Sequence, residues 1–248
     1  MSIRSNLEFE QLRTIGRIVA KALNAMAESV RPGVTTAELD SIGAKVLDEH
    51  GAVSAPPKVY GFPSAVCISV NDEAIHGIPG NRVLVAGDLV KLDLVAEKNG
   101  FFADAAVTVA VPPVQDLARQ LARCAESAFR RSLKAASAGN RIYQVGRIIE
   151  REAHLSGFRA IRELCGHGVG RTIHEDPQVP NFADPNARQK LTEGLVITIE
   201  PILSAGNGKA YLDKDGWTIR TADGALSSHY EHTVVITKGE PVILTTAA

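Results

Sequence analysis

Four acidic residues stand in otherwise apolar, strand-like runs: Leu92-Asp93-Leu94, Phe102-Ala103-Asp104, Ile199-Glu200-Pro201 and Tyr230-Glu231-His232. The stretch Cys165-Gly166-His167-Gly168-Val169-Gly170-Arg171-Thr172-Ile173-His174 adds two histidines in a segment whose glycines cost backbone entropy that only a special geometry justifies. Any one of the acids, taken alone, reads as half of a salt bridge. Together, Asp93, Asp104, His167, Glu200 and Glu231 offer only oxygen and imidazole donors, a set that suits one or two divalent cations such as Mn, Co, Fe or Zn. Carboxylates bridging two ions about 3.5–4 Å apart are the arrangement of two-metal hydrolases, in which the ions make hydroxide from water and polarise a carbonyl or phosphoryl oxygen. The residues point to a dinuclear metallohydrolase, with a mononuclear binding or storage protein as the other use of the same donors.

Local geometry sharpens the two aspartates. Between them lies Asn99-Gly100, the strongest two-residue hairpin signal. With that turn, Lys98 pairs with Phe101, Val95 with Asp104 and Asp93 with Ala106, so both aspartates share one face as diagonal neighbours about 7–8 Å apart by backbone. A slip of one residue sends them to opposite faces. Two carboxylates this close on a half-buried face are costly unless a cation neutralises them.

The elements that must position these groups follow from periodicity. Leu12, Ile15, Ile18, Val19, Leu23 and Met26 predict a helix from about Leu7 to Val30, ended by Arg31-Pro32-Gly33. Thr35-Thr36-Ala37-Glu38 has the form of a capping box opening a second helix that runs to Gly51. Short β-rich runs follow, at 65–70, 89–95 and 105–111, until Pro112-Pro113. The order then recurs: a helix from Asp116 to about Ser137, another carrying Ile142, Val145, Ile148 and Ile149 to Gly157, and β-rich runs at 195–199 and 232–236. The chain reads as one α+β domain, 1–248, of two related α-α-β halves, about 1–113 and 114–248, with a cleft at their junction.

Composition excludes several classes. A net charge of −1 over 248 residues gives no broad basic field for nucleic acid or an anionic membrane. No apolar run is long enough to span a bilayer, and the first residues lead into an amphipathic segment rather than the apolar core of a signal peptide. Cys67, Cys124 and Cys165 are odd in number and lack paired spacing, which argues against disulfides and a cysteine zinc site. These features fit a cytoplasmic enzyme.

Val66-Cys67-Ile68-Ser69-Val70-Asn71-Asp72-Glu73-Ala74-Ile75-His76-Gly77-Ile78-Pro79, the Cys165–Gly170 stretch, Thr198-Ile199-Glu200-Pro201 and Tyr230-Glu231-His232-Thr233 resemble the signature segments of type I methionine aminopeptidases, over nearly the whole chain. The resemblance implies the pita-bread fold, two pseudo-symmetric halves around a curved antiparallel sheet, in the short bacterial form without a zinc-finger extension. It makes Asp93 the carboxylate of one metal, sets Asp104 and Glu231 between the two, and gives His167 and Glu200 to the second. It places His76 by the scissile peptide, to orient it or assist protonation of the leaving amine, and His174 at its carbonyl oxygen. Hydroxide generated at the metals would attack that carbonyl, with Glu200 as proton acceptor. The implied activity is removal of the initiator methionine from nascent proteins whose second residue is small, by a monomer that works near the ribosome.

The same resemblance assigns the methionine pocket to Val59, Phe62, Cys67, Ile173 and Trp217. Two positions depart from the family: Ile173 is smaller and branched where an aromatic or methionine is usual, and the tyrosine the family supplies is displaced by one or two places, to Tyr60. Differences of a methylene or two are worth about 1–3 kcal/mol of discrimination. The alternatives are a pita-bread aminopeptidase with another N-terminal residue or Xaa-Pro specificity, whose usual N-terminal domain this length does not accommodate, and a silent homologue that binds peptides.

Overall fold

The computed structural model describes residues 1–246. Helix α1 (Asn6–Ser29) starts where the Ser5 hydroxyl accepts the Glu8 amide, and it buries Leu12, Ile15, Val19, Leu23 and Met26. Helix α2 (Thr36–Glu49) opens with the expected capping box: Thr35 Oγ1 accepts the Glu38 amide at 3.2 Å, and Glu38 Oε2 accepts the Thr35 amide at 2.7 Å. Short helix α3 (Ala55–Tyr60) carries prolines in its first turn, where a missing N–H costs nothing. Helix α4 (Asp116–Ser132) is shorter than its apolar pattern predicts, because the chain tightens at Leu133–Ala135 into a 3-10 turn whose last carbonyl accepts from Asn140 Nδ2 at 3.1 Å. Helix α5 (Ile142–Leu155) follows, with Gly146 so close to the carbonyls of Pro180 and Phe182 that any side chain there would collide with them.

The helices cover a large antiparallel sheet. Along it lie Val53–Ser54, Leu89–Lys98, Phe101–Ala110, Glu231–Val235, Val196–Ile199, Cys165–Gly168 and Glu175–Pro180, with Cys67–Val70 paired beside Leu89–Lys98. Its centre is the hairpin 89–110, in which Lys98 pairs with Phe101, Val95 with Asp104 and Asp93 with Ala106. Asn99 and Gly100 both adopt positive φ, 55° and 77°, the conformation that a two-residue hairpin turn of this twist demands.

Alternation then divides the side chains. Leu92, Leu94, Ala103 and Ala105 face a core formed with α1 and α2, whereas Asp93 and Asp104 face a cavity. A second core joins α4 and α5 to Val179, Ile197, Ile199 and Val234. The cavity lies on the side of the sheet away from both helix pairs.

Candidate active site

Strand pairing sets the floor of the cavity. Cys67 lies opposite Asp93, Asp93 opposite Ala106, and Ala106 opposite Glu231, so four strands place one row of side chains on one face. Asp104 is two residues from Ala106 and joins that face. Thr233 fastens it: Thr233 Oγ1 accepts the Asp104 amide at 2.9 Å and donates to the Asp104 carbonyl at 2.8 Å.

The opposite wall comes from the glycine-rich stretch. Gly166 lies against the Thr198 carbonyl, so close that a β-carbon would force the strands apart. The Thr198 hydroxyl accepts the His167 amide at 3.0 Å and donates to Glu200 Oε2 at 2.6 Å, which fixes two candidate ligands through one side chain. His167 Nδ1 lies 2.9 Å from the Gly168 carbonyl and must carry the proton there. Nε2 is thereby left with its lone pair, 3.6 Å from Asp104 Oδ2 and 3.7 Å from Glu200 Oε2.

All five expected donors therefore line one cavity of about 610 Å³. Ligand atoms of Asp104, His167 and Glu231 lie within 4.8 Å of one another. Burial pushes the Asp104, Glu200 and Glu231 carboxyls well above the ordinary range, and repulsion from neighbouring carboxylates, Asp93 among them in each case, pushes them further. Burial also raises Asp93, while it lowers His167 to about 4. Asp104 Oδ1 and Glu231 Oε1 are buried with no hydrogen-bond partner. An orphaned carboxylate oxygen in such a place costs several kcal/mol unless a cation or proton satisfies it. Oxygen and neutral imidazole donors of this kind fit a divalent cation of the first transition row.

Two more histidines meet the cavity. His76 has positive φ, 57°, unusual for a residue with a side chain, and burial holds its imidazole neutral with a pKa of about 4. His174 meets His167 edge to face with ring centres 4.3 Å apart, and its Nδ1 lies 2.6 Å from Tyr60 Oη. Beside them Phe62 and Trp217 meet edge to face at 5.2 Å, and Ile173 and Cys67 complete an apolar corner. Burial and the Asp93 carboxylate push the Cys67 thiol well up, so it stays neutral.

Val59 is the expectation the structure corrects. It is 44% exposed and does not reach the cavity. The segment is helical, so positions four apart share a face, and Pro56 and Tyr60 line the cavity in its place. Among the cavity residues absent from the expected set is a further histidine, His229, two residues before Glu231 and lining the same cavity. That offset of two from Glu231 was its only signal in the sequence.

The profile of metallopeptidase family M24 matches residues 10–238. The chain belongs to this family. It is 45% identical over 247 residues to methionine aminopeptidase 2 of Bacillus subtilis, covering 99% of both chains. The crystal structure of methionine aminopeptidase from Thermotoga maritima superposes with a TM-score of 0.96 at 34% identity, over 99% of this chain and 100% of that one. Prolidase from Pyrococcus furiosus has the same fold, with a TM-score of 0.78 at 24% identity, but this M24 chain covers only 66% of it. The pita-bread fold expected from the signature segments is thus the fold of the chain.

Proposed function

We propose that this M24 peptidase is a metal-dependent methionine aminopeptidase that removes the initiator methionine from proteins whose second residue is small. The observation that carries the reading is the convergence of Asp93, Asp104, His167, Glu200 and Glu231 on one cavity whose rim holds His76, His174 and an apolar corner. In this reading Asp93, Asp104 and Glu231 would hold one ion, and Asp104, Glu231, His167 and Glu200 would hold a second. When bound, the ions lower the pKa of water and polarise the scissile carbonyl. Glu200, kept in place by Thr198, takes the proton released as water attacks. His174, with Nδ1 committed to Tyr60, presents Nε2–H to the carbonyl oxygen as negative charge builds there. His76 orients the peptide and assists protonation of the departing amine. Phe62, Trp217, Ile173, Cys67 and Tyr60 surround the methionine side chain.

In this reading the described helices and strands form one catalytic domain, with halves about 1–113 and 114–248. It acts as a cytoplasmic monomer on nascent chains, close to the ribosome. No described helix is long and apolar enough to cross a membrane.

The test is cleavage of Met-Ala-Ser beside Leu-, Ala- and Xaa-Pro-initiated peptides, by metal-stripped protein reloaded separately with Mn, Co, Fe and Zn. Selective, metal-dependent release of methionine is expected. Preferential cleavage of another peptide would move the substrate, and no cleavage despite bound ions would make the cleft a peptide-binding site.

A further inference from the structure

His229 is 2% exposed, and neither of its ring nitrogens has a hydrogen-bond partner. Its backbone is held firmly: the His229 amide donates to Thr108 Oγ1 at 3.0 Å, and that hydroxyl donates to the His229 carbonyl at 2.7 Å. The strand Ser227–His229 pairs His229 with Ile202. A rigidly placed, buried imidazole with two orphaned nitrogens is a costly arrangement that some occupant of the cavity must relieve.

The neighbours identify that occupant. His229 Nε2 lies 3.3 Å from Glu231 Oε2, yet the pair lacks the alignment of a hydrogen bond. Two atoms each about 2.1 Å from one ion, and about 90–110° apart around it, lie roughly 3.0–3.4 Å from each other, with the ion off the line that joins them. His167 Nε2 and Asp104 Oδ2 are slightly farther apart, at 3.6 Å.

We propose that His229 is a further metal ligand, binding through Nε2 the ion held by Asp93, Asp104 and Glu231. The inference rests on the two-metal reading above and extends it. Each ion then has one imidazole, His229 for the first and His167 for the second. An added nitrogen donor favours the borderline cations Fe, Co and Zn over Mn at that position.

The experiment uses the full chain loaded with two equivalents of Co(II), read by proton NMR. Each coordinated histidine whose other ring nitrogen keeps its proton from exchange gives one strongly shifted N–H signal. Two signals are expected in the unaltered protein. His229→Gln should lose one and keep the other, which shows that the variant is folded and loaded, whereas His167→Gln should lose the signal that His229→Gln retains. Titration of His229→Gln with Co(II) should show one equivalent bound at least 10–100-fold more weakly, the scale on which even indirect support of a metal ligand acts. One signal in the unaltered protein, or two in His229→Gln, would overturn the inference while leaving the two-metal reading intact. No shifted signal in any of the three would overturn both.

Discussion

Tyr60 Oη and His174 Nδ1 lie 2.6 Å apart, joining a short helix to the last residue of the glycine-rich stretch. Burial raises the Tyr60 phenol above its ordinary pKa, so it remains a donor at neutral pH. Donation from Tyr60 Oη to Nδ1 leaves the His174 proton at Nε2, the tautomer needed to stabilise an oxyanion. Tyr60→Phe keeps the ring and removes the donor. It should lower kcat about tenfold, the scale of one hydrogen bond of about 1–1.5 kcal/mol, with KM for Met-Ala-Ser little changed. An equal loss in kcat and kcat/KM from His174→Ala and from the Tyr60→Phe/His174→Ala double variant would show the two acting as a unit; additive losses would separate them.

His76→Ala should reduce turnover far more than bound metal, because the imidazole lines the cavity without belonging to the compact donor group of Asp104, His167 and Glu231. Metal content measured on the purified variant beside its kcat decides the point. Equal loss of both would give His76 a structural role.

Asp104→Ala and Glu231→Ala should abolish activity and leave the chain folded. Asp104→Asn should go further and raise the melting temperature of the metal-free protein, since burial and three neighbouring carboxylates all oppose the Asp104 charge. A gain of about 1 kcal/mol corresponds to roughly 2–4 °C for a chain of this size. With metal added, the order should reverse. A metal-free variant less stable than the unaltered protein would show that repulsion at this cluster is relieved by other means.

The raised carboxyls also link metal to protons. In the metal-free fold these groups hold protons at pH values where the unfolded chain has released them, so metal-free stability falls as pH rises through their elevated folded pKa values. Metal displaces those protons, and affinity should climb with pH over the same range. Calorimetric titration in two buffers of different ionisation enthalpy should detect proton release near pH 6, and heats independent of the buffer would contradict it.

Much of this architecture was legible because its determinants are local. Asn99-Gly100 adopts the turn its residues favour, and the turn sets every pair from Lys98–Phe101 to Asp93–Ala106. Thr35 and Glu38 cap a helix by contacts that span three residues. Tyr60 and His229 were harder to place for the opposite reason. Two prolines could open a loop or a helix, and only the helix turns Tyr60 rather than Val59 toward the cavity. His229 acquires its meaning from Glu231 and Asp93, on separate strands brought together by long-range pairing.

The pairing of the 89–110 hairpin makes the site a counter of odd and even. One residue inserted into an arm between Asp93 and the turn would leave a ladder of the same kind while rotating Asp93 from the cavity to the helix-covered face. A two-residue insertion would return it to the cavity face, displaced by one pleat. Circular dichroism would barely register the single insertion, whereas metal binding would lose a ligand. Length variation in this segment is therefore filtered by the parity of the ladder before it is filtered by stability, and the tip beyond Lys98 and Phe101 is where additional chain is tolerated.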